Sequence, residues 1–157
     1  MVELNNKADE IVEDAEDKII TDAKIYDPQA LELDEVSAAF SVRDPVNTSG
    51  TILYKITGKD KEGLFEGQRR YNEFYLLHEA LTKRWPSIPI PSIPPKKNFG
   101  NKDLIFIQQR RYYLERFLRC ISKFDFIVNS VEFKTFSRPN GQQIEKGLER
   151  LPKLSVS

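Results

Sequence analysis

The sequence has one cysteine, Cys120, and one histidine, His78, in 157 residues. A single cysteine excludes any disulfide within the chain, and a Cys/His metal site has almost nothing to be built from. No stretch approaches the ~20 apolar residues of a membrane span. No Gly-rich phosphate loop is present, and no carboxylate pair has catalytic context. His78 has no serine, aspartate or cysteine partner at a familiar spacing, so the residues point away from an enzyme and from any cofactor. The acidic N-terminus reads as neither a signal peptide nor a basic transit peptide. Asn47-Thr48-Ser49 matches a glycosylation sequon, but nothing else suggests secretion. Internal repeats are absent. A chain of this length can bury ~70% of its unfolded surface and needs no staple to fold.

Net charge is also missing, with 24 bases against 24 acids. That balance conceals an asymmetry. Residues 1–36 hold 12 acids and three lysines, and the remainder holds 12 acids and 21 bases. The chain reads as an acidic leader of −9 joined to a basic body of +9. Such a body suits an anionic partner: a phosphate, a nucleic acid or a membrane surface. The leader carries the charge to lie over that face.

Residues 1–30, most of this acidic stretch, read as a leader, disordered or weakly helical. Apolar positions 11, 12, 15 and 19 have helical spacing, but an acidic helix so short is marginal alone. Three strands are expected next. Ala38–Val42 puts Phe40 and Val42 on one face. Pro45, Asn47, Ser49 and Gly50 mark a turn, Thr51–Thr57 the second strand, Gly58–Gly63 a second turn and Leu64–Tyr71 the third strand. The period then becomes helical over Asn72–Trp85, with Asn72 as cap and apolar residues at 74, 77, 80, 81 and 85. Pro86–Pro95 contains five prolines in ten residues. It can be neither helix nor central strand and is expected to be polyproline II. Lys102–Phe124 is the longest helical pattern, with Asn101 or Asp103 as cap and Leu114, Phe117, Leu118 and Ile121 facing the core. Cys120 lies beside that stripe. A shorter helix follows, capped by Asn129 with Glu132 three residues on, burying Val131, Phe133 and Phe136. Residues 141–157 read as a tail, or a linker to a further domain, with Ile144, Leu148 and Leu151 on one stripe. Strands first and helices after imply an α+β fold: a three-stranded antiparallel sheet packed on a helical subdomain, with a proline-rich loop.

Three basic elements carry the chemistry. Arg69-Arg70-Tyr71 joins the third strand to the first helix. A guanidinium fork suits phosphate, and the adjacent ring offers a flat face to the C–H groups of a sugar or inositol. The proline run ends in Lys96-Lys97, which holds ammonium groups in place. The same run fits the spacing of an SH3 ligand and also that of a rigid connector. Arg110, in Phe106-Ile107-Gln108-Gln109-Arg110, lies on the core side of its helix and needs a counter-charge there, for which Glu73 and Glu79 are candidates.

Together these elements resemble the phox-homology (PX) domain, the phosphoinositide-binding module of sorting nexins. The resemblance covers roughly residues 36–138, within a domain placed at 31–140. The family's Arg-Arg-Tyr-x-x-Phe motif reads Arg69 through Phe74. Its proline stretch reads Ile90 through Lys96, with Ser92 in place of the second proline. Its helix motif reads Phe106 through Arg110.

The resemblance implies a role for each residue. Arg70 would bind the 3-phosphate of phosphatidylinositol 3-phosphate, and Tyr71 would stack under the inositol ring. Lys96 would meet the 1-phosphate, with Lys97 as its substitute. Arg110 would bond the 4- and 5-hydroxyls, while Arg69 would face outward as an auxiliary base. Phe99 and Leu104 would enter the bilayer, unless Leu104 and Ile105 pack on the core instead. The implied function is recruitment of a cytoplasmic protein to the periphery of early endosome membranes for sorting, beside the protein partners of a sorting complex. The alternative is a protein-interaction scaffold using the proline run or the leader. Nucleic-acid binding lacks the aromatic motif it needs.

Overall fold

The computed structural model describes residues 34–96 and 103–151. Helix α1 (Glu35–Ala39) leads into strands β1 (Ser41–Thr48), β2 (Thr51–Asp60) and β3 (Gly63–Arg70). Helices α2 (Tyr71–Arg84), α3 (Leu104–Ile121), α4 (Asp125–Val128), α5 (Val131–Ser137) and α6 (Ile144–Glu149) follow. The strands form an antiparallel meander in the order β1-β2-β3. This is the α+β architecture expected. The leader, Lys97, Phe99 and residues 152–157 lie outside the described residues.

The first strand starts later and runs further than its residue pattern suggested. Ala38 and Ala39 close α1, whereas Pro45 and Asn47 belong to β1 and not to the turn. β1 is an edge strand whose pairing slips between Arg43 and Val46, and Asp44 there has φ 50°. A proline is tolerated at such a bulge because no ladder bond is asked of it. The turn is Ser49-Gly50, both with positive φ, which suits a tight two-residue hairpin. Asn47 accepts a hydrogen bond from the Gly50 N–H at 3.0 Å.

Gly58 lies within β2, where the sequence placed a turn. A Cβ at this position would stand 2.3 Å from the Phe65 ring and 2.9 Å from the Phe40 ring. The missing side chain lets those rings meet edge to face, 5.8 Å apart, with Phe133 against both. Gly58→Ala should therefore cost ~1–3 kcal/mol through overpacking. Urea unfolding would show a lower midpoint at unchanged slope.

The helices bury the stripes their spacing promised. α2 buries Phe74, Leu77 and Leu81; α3 buries Leu114, Phe117, Leu118 and Ile121. Two caps differ from expectation. The Glu73 carboxylate, not Asn72, serves the start of α2, accepting from the Arg70 N–H at 2.8 Å. α5 is capped by Ser130, whose hydroxyl accepts from the Phe133 N–H at 3.1 Å. Asn129 instead accepts from the Lys61 N–H at 3.1 Å and so ties the second hairpin to the helices. Val131 is exposed, while Phe133 and Phe136 are buried. Asp103 caps α3, as expected.

Buried Glu115 fastens α3 to β1. It accepts from the Val42 N–H at 3.3 Å and pairs with Arg111 and Arg119, at 3.6 and 3.4 Å. The proline segment has no helix or strand, and Ile88, Ile90 and Ile93 pack against the core. His78 hydrogen-bonds the Pro91 backbone and packs on Phe117. It thus holds that segment down, and burial lowers its pKa. α6 seats Ile144 and Leu148 in the core, with Leu151 beside them.

Candidate functional site

Successive side chains of a strand point to opposite faces, so Arg69 and Arg70 cannot share a role. Arg69 turns inward, not outward as the sequence suggested, and only 6% of it is exposed. Its Nε donates to the Phe136 carbonyl at 2.6 Å, Nη1 to the Gln68 carbonyl at 2.6 Å, and Nη2 to the Ser137 carbonyl at 3.3 Å. It therefore closes the carbonyl end of α5, where a cation is favoured. Burial lowers its pKa. Gly67 makes the space, since a Cβ there would lie 2.7 Å from Nη1.

Arg70 points the other way and is half-exposed. Its Nη2 donates to Glu145 of α6, and Glu145 also accepts from the Asn72 amide at 3.1 Å. Glu145 was invisible to pattern reading. It comes from a segment read as a tail, and nothing local announces its partner.

Tyr71 is the hub of the site. Its hydroxyl donates to the Pro94 carbonyl, which docks the end of the proline segment. Burial raises its pKa, and Arg110 partly offsets the effect. The Arg110 guanidinium lies 3.8 Å from the Tyr71 ring centroid and 4.5 Å from that of Phe106. Arg110 is buried, and burial lowers its pKa. Nη2 reaches the Pro95 carbonyl at 3.5 Å, and Nε is buried without a hydrogen-bond partner. The candidate counter-charges are elsewhere: Glu73 caps α2 and Glu79 accepts from Tyr75. Two aromatic faces stabilise the cation in their place. A buried guanidinium donor left unfilled calls for a partner, and a water or an anion can supply one.

Lys96 is exposed, with Nζ 4.2 Å over the Tyr75 ring. Tyr75 lies one helical turn after Tyr71, ring to ring at 6.5 Å. Its role was legible in the i, i+4 spacing and was missed. The three elements thus converge on Tyr71 and Tyr75, with Arg70 adjoining. Leu104 and Ile105 do not pack on the core; they are 77% and 69% exposed at the start of α3. Among the described residues no helix is long and apolar enough to cross a membrane, and no cluster of metal-ligating side chains occurs.

Such a site can take a polyanion with a flat face: cations for the charges, a ring for the face. Comparison with known proteins agrees in kind. The PX domain family model matches residues 58–140. Sorting nexin-4 of Saccharomyces cerevisiae is 35% identical over 109 residues, covering 59% of this chain and 26% of that one. Vacuolar protein sorting-associated protein vps5 of Schizosaccharomyces pombe is 44% identical over 69 residues, covering 44% and 12%. The chain therefore spans about a quarter or less of the length of these two relatives. The X-ray structure of a designed CISK-PX domain superimposes with a TM-score of 0.57 at 28% identity, covering 63% of this chain and 97% of that domain.

Proposed function

The chain belongs to the PX domain family, and on that premise we propose that it binds the headgroup of phosphatidylinositol 3-phosphate and recruits its protein to endosomal membranes. The observation that carries the reading is Arg110, buried between two rings with Nε unbonded and no carboxylate paired to it among the described residues. In this reading Arg110 meets the 4- and 5-hydroxyls, Tyr71 lies under the ring, Lys96 meets the 1-phosphate and Arg70 the 3-phosphate. Lys97 is an auxiliary cation. The names of the relatives, sorting nexin-4 and vacuolar protein sorting-associated protein vps5, support a role in membrane trafficking. The function is binding, with no chemical step.

Membrane contact adds two contributions. Exposed bases beside the site, Lys96 among them, add a field, and each base near an anionic leaflet contributes ~1 kcal/mol. Exposed Leu104 and its neighbour Ile105 supply apolar surface for shallow insertion. For the SH3-ligand alternative, the isoleucines of the proline run pack against the core and the Pro94 and Pro95 carbonyls serve Tyr71 and Arg110, which leaves the exposed Pro86 and Pro89 as the end open to a partner.

A panel of vesicles carrying each of the seven phosphoinositides, at two salt concentrations, tests the reading. Binding should be tightest to phosphatidylinositol 3-phosphate. Salt should weaken binding to every vesicle yet preserve that order, because screening removes the field more than the pocket. Equal binding to all anionic vesicles would overturn the headgroup assignment.

A further inference from the structure

The family match ends at residue 140, and α6 lies beyond it. This six-residue helix packs on α2 and α5 through Ile144 and Leu148. A helix so short does not persist alone in water, so its place depends on what it docks to. One of its attachments is polar. Glu145 accepts from Arg70 and from Asn72. An anion of this chain thus already sits on the guanidinium assigned to the 3-phosphate.

We propose that the Glu145 carboxylate and the ligand phosphate compete for Arg70, so that headgroup binding displaces Glu145 and loosens α6. The inference rests on the headgroup reading above. Both groups are oxyanions suited to the same guanidinium fork, and a phosphate monoester carries more charge than a carboxylate. Two such anions beside one cation repel each other. Glu145 can leave without disturbing the core, because its side chain is 29% exposed and can turn to water. The coupling is reciprocal: whatever holds α6 down weakens the ligand, and the ligand weakens the hold on α6. Arg70 and Glu145 are 75 residues apart, so the competition reports the state of the site to the C-terminal end of the domain.

Glu145→Gln tests this. The amide keeps the shape of the side chain and its bonding capacity towards Asn72 and Arg70, but removes the charge. The full chain is titrated with soluble inositol 1,3-bisphosphate and, separately, with vesicles with and without phosphatidylinositol 3-phosphate. Melting curves confirm that the variant is folded. The variant should bind the soluble headgroup and the lipid about fivefold to tenfold more tightly, within the usual range of coupling between sites. In the wild-type chain, amide exchange over residues 144–149 should speed up when the soluble headgroup is added. Equal or weaker binding by the variant, while the wild type binds, overturns the competition. A gain seen equally with vesicles lacking the lipid also overturns it, since only the general field would then have changed. Tighter binding with no faster exchange overturns the release of α6. Failure of the wild type to bind either probe overturns the headgroup reading itself.

Discussion

Arg70→Ala should abolish binding to vesicles carrying phosphatidylinositol 3-phosphate and leave the domain folded. The side chain is 45% exposed and pairs with Glu145, a contact of the surface and not of the core. The helix cap survives, because it is the Arg70 backbone N–H that reaches Glu73. Truncating one partner of a desolvated charge pair costs ~2–5 kcal/mol, or about 30-fold to several thousandfold in affinity. Vesicle sedimentation would read the loss, and circular dichroism melting would show the retained fold. Binding that survives the substitution would remove Arg70 from the site.

The neighbouring residue should behave in the opposite way. Arg69→Ala leaves the Phe136 and Ser137 carbonyls without their donor and opens a void beside the Phe136 ring and Gly67. Loss of buried charge-assisted hydrogen bonds of this kind costs ~2–4 kcal/mol. The melting temperature should fall by roughly 10 °C for a domain of this size. Arg69→Lys should not restore it, since one ammonium cannot reproduce a fork aimed at three carbonyls. Lipid affinity, measured well below the melting temperature, should stay near the wild-type value. An unchanged melting temperature would show that Arg69 is not the strut described. Two adjacent arginines would thus separate stability from binding in one pair of measurements.

That contrast also marks how much the sequence discloses. Strand alternation says that Arg69 and Arg70 differ in direction, but not which one faces the core. The choice is made by Gly67, which leaves room for a guanidinium, and by the carbonyl end of α5, far along the chain. Helical stripes were legible because periodicity is local; Phe74, Leu77, Leu114 and Phe117 are buried as spaced. Caps were less legible, because Asn72 and Glu73, or Asn129 and Ser130, are neighbours of similar chemistry. Tertiary demand decides between them: Asn72 bonds Glu145, and Asn129 bonds Lys61. Pro45 looked like a turn residue because its strand is bulged and at an edge. The three cations of the site lay in recognisable motifs. The carboxylate that meets one of them did not, because an ion pair across 75 residues leaves no local trace.

The attachment of α3 has a further consequence. One rigid rod carries exposed Leu104 at its tip and Arg110 six residues along, about 9 Å at 1.5 Å per residue. Glu115 rivets that rod to β1, so it cannot slide against the sheet. Under the proposed headgroup binding the helix acts as a depth gauge, fixing the spacing along its axis between the inositol ring at Arg110 and the level that Leu104 reaches. A headgroup held too far from its bilayer by a long spacer could fill the pocket or let the tip touch hydrocarbon, but not both.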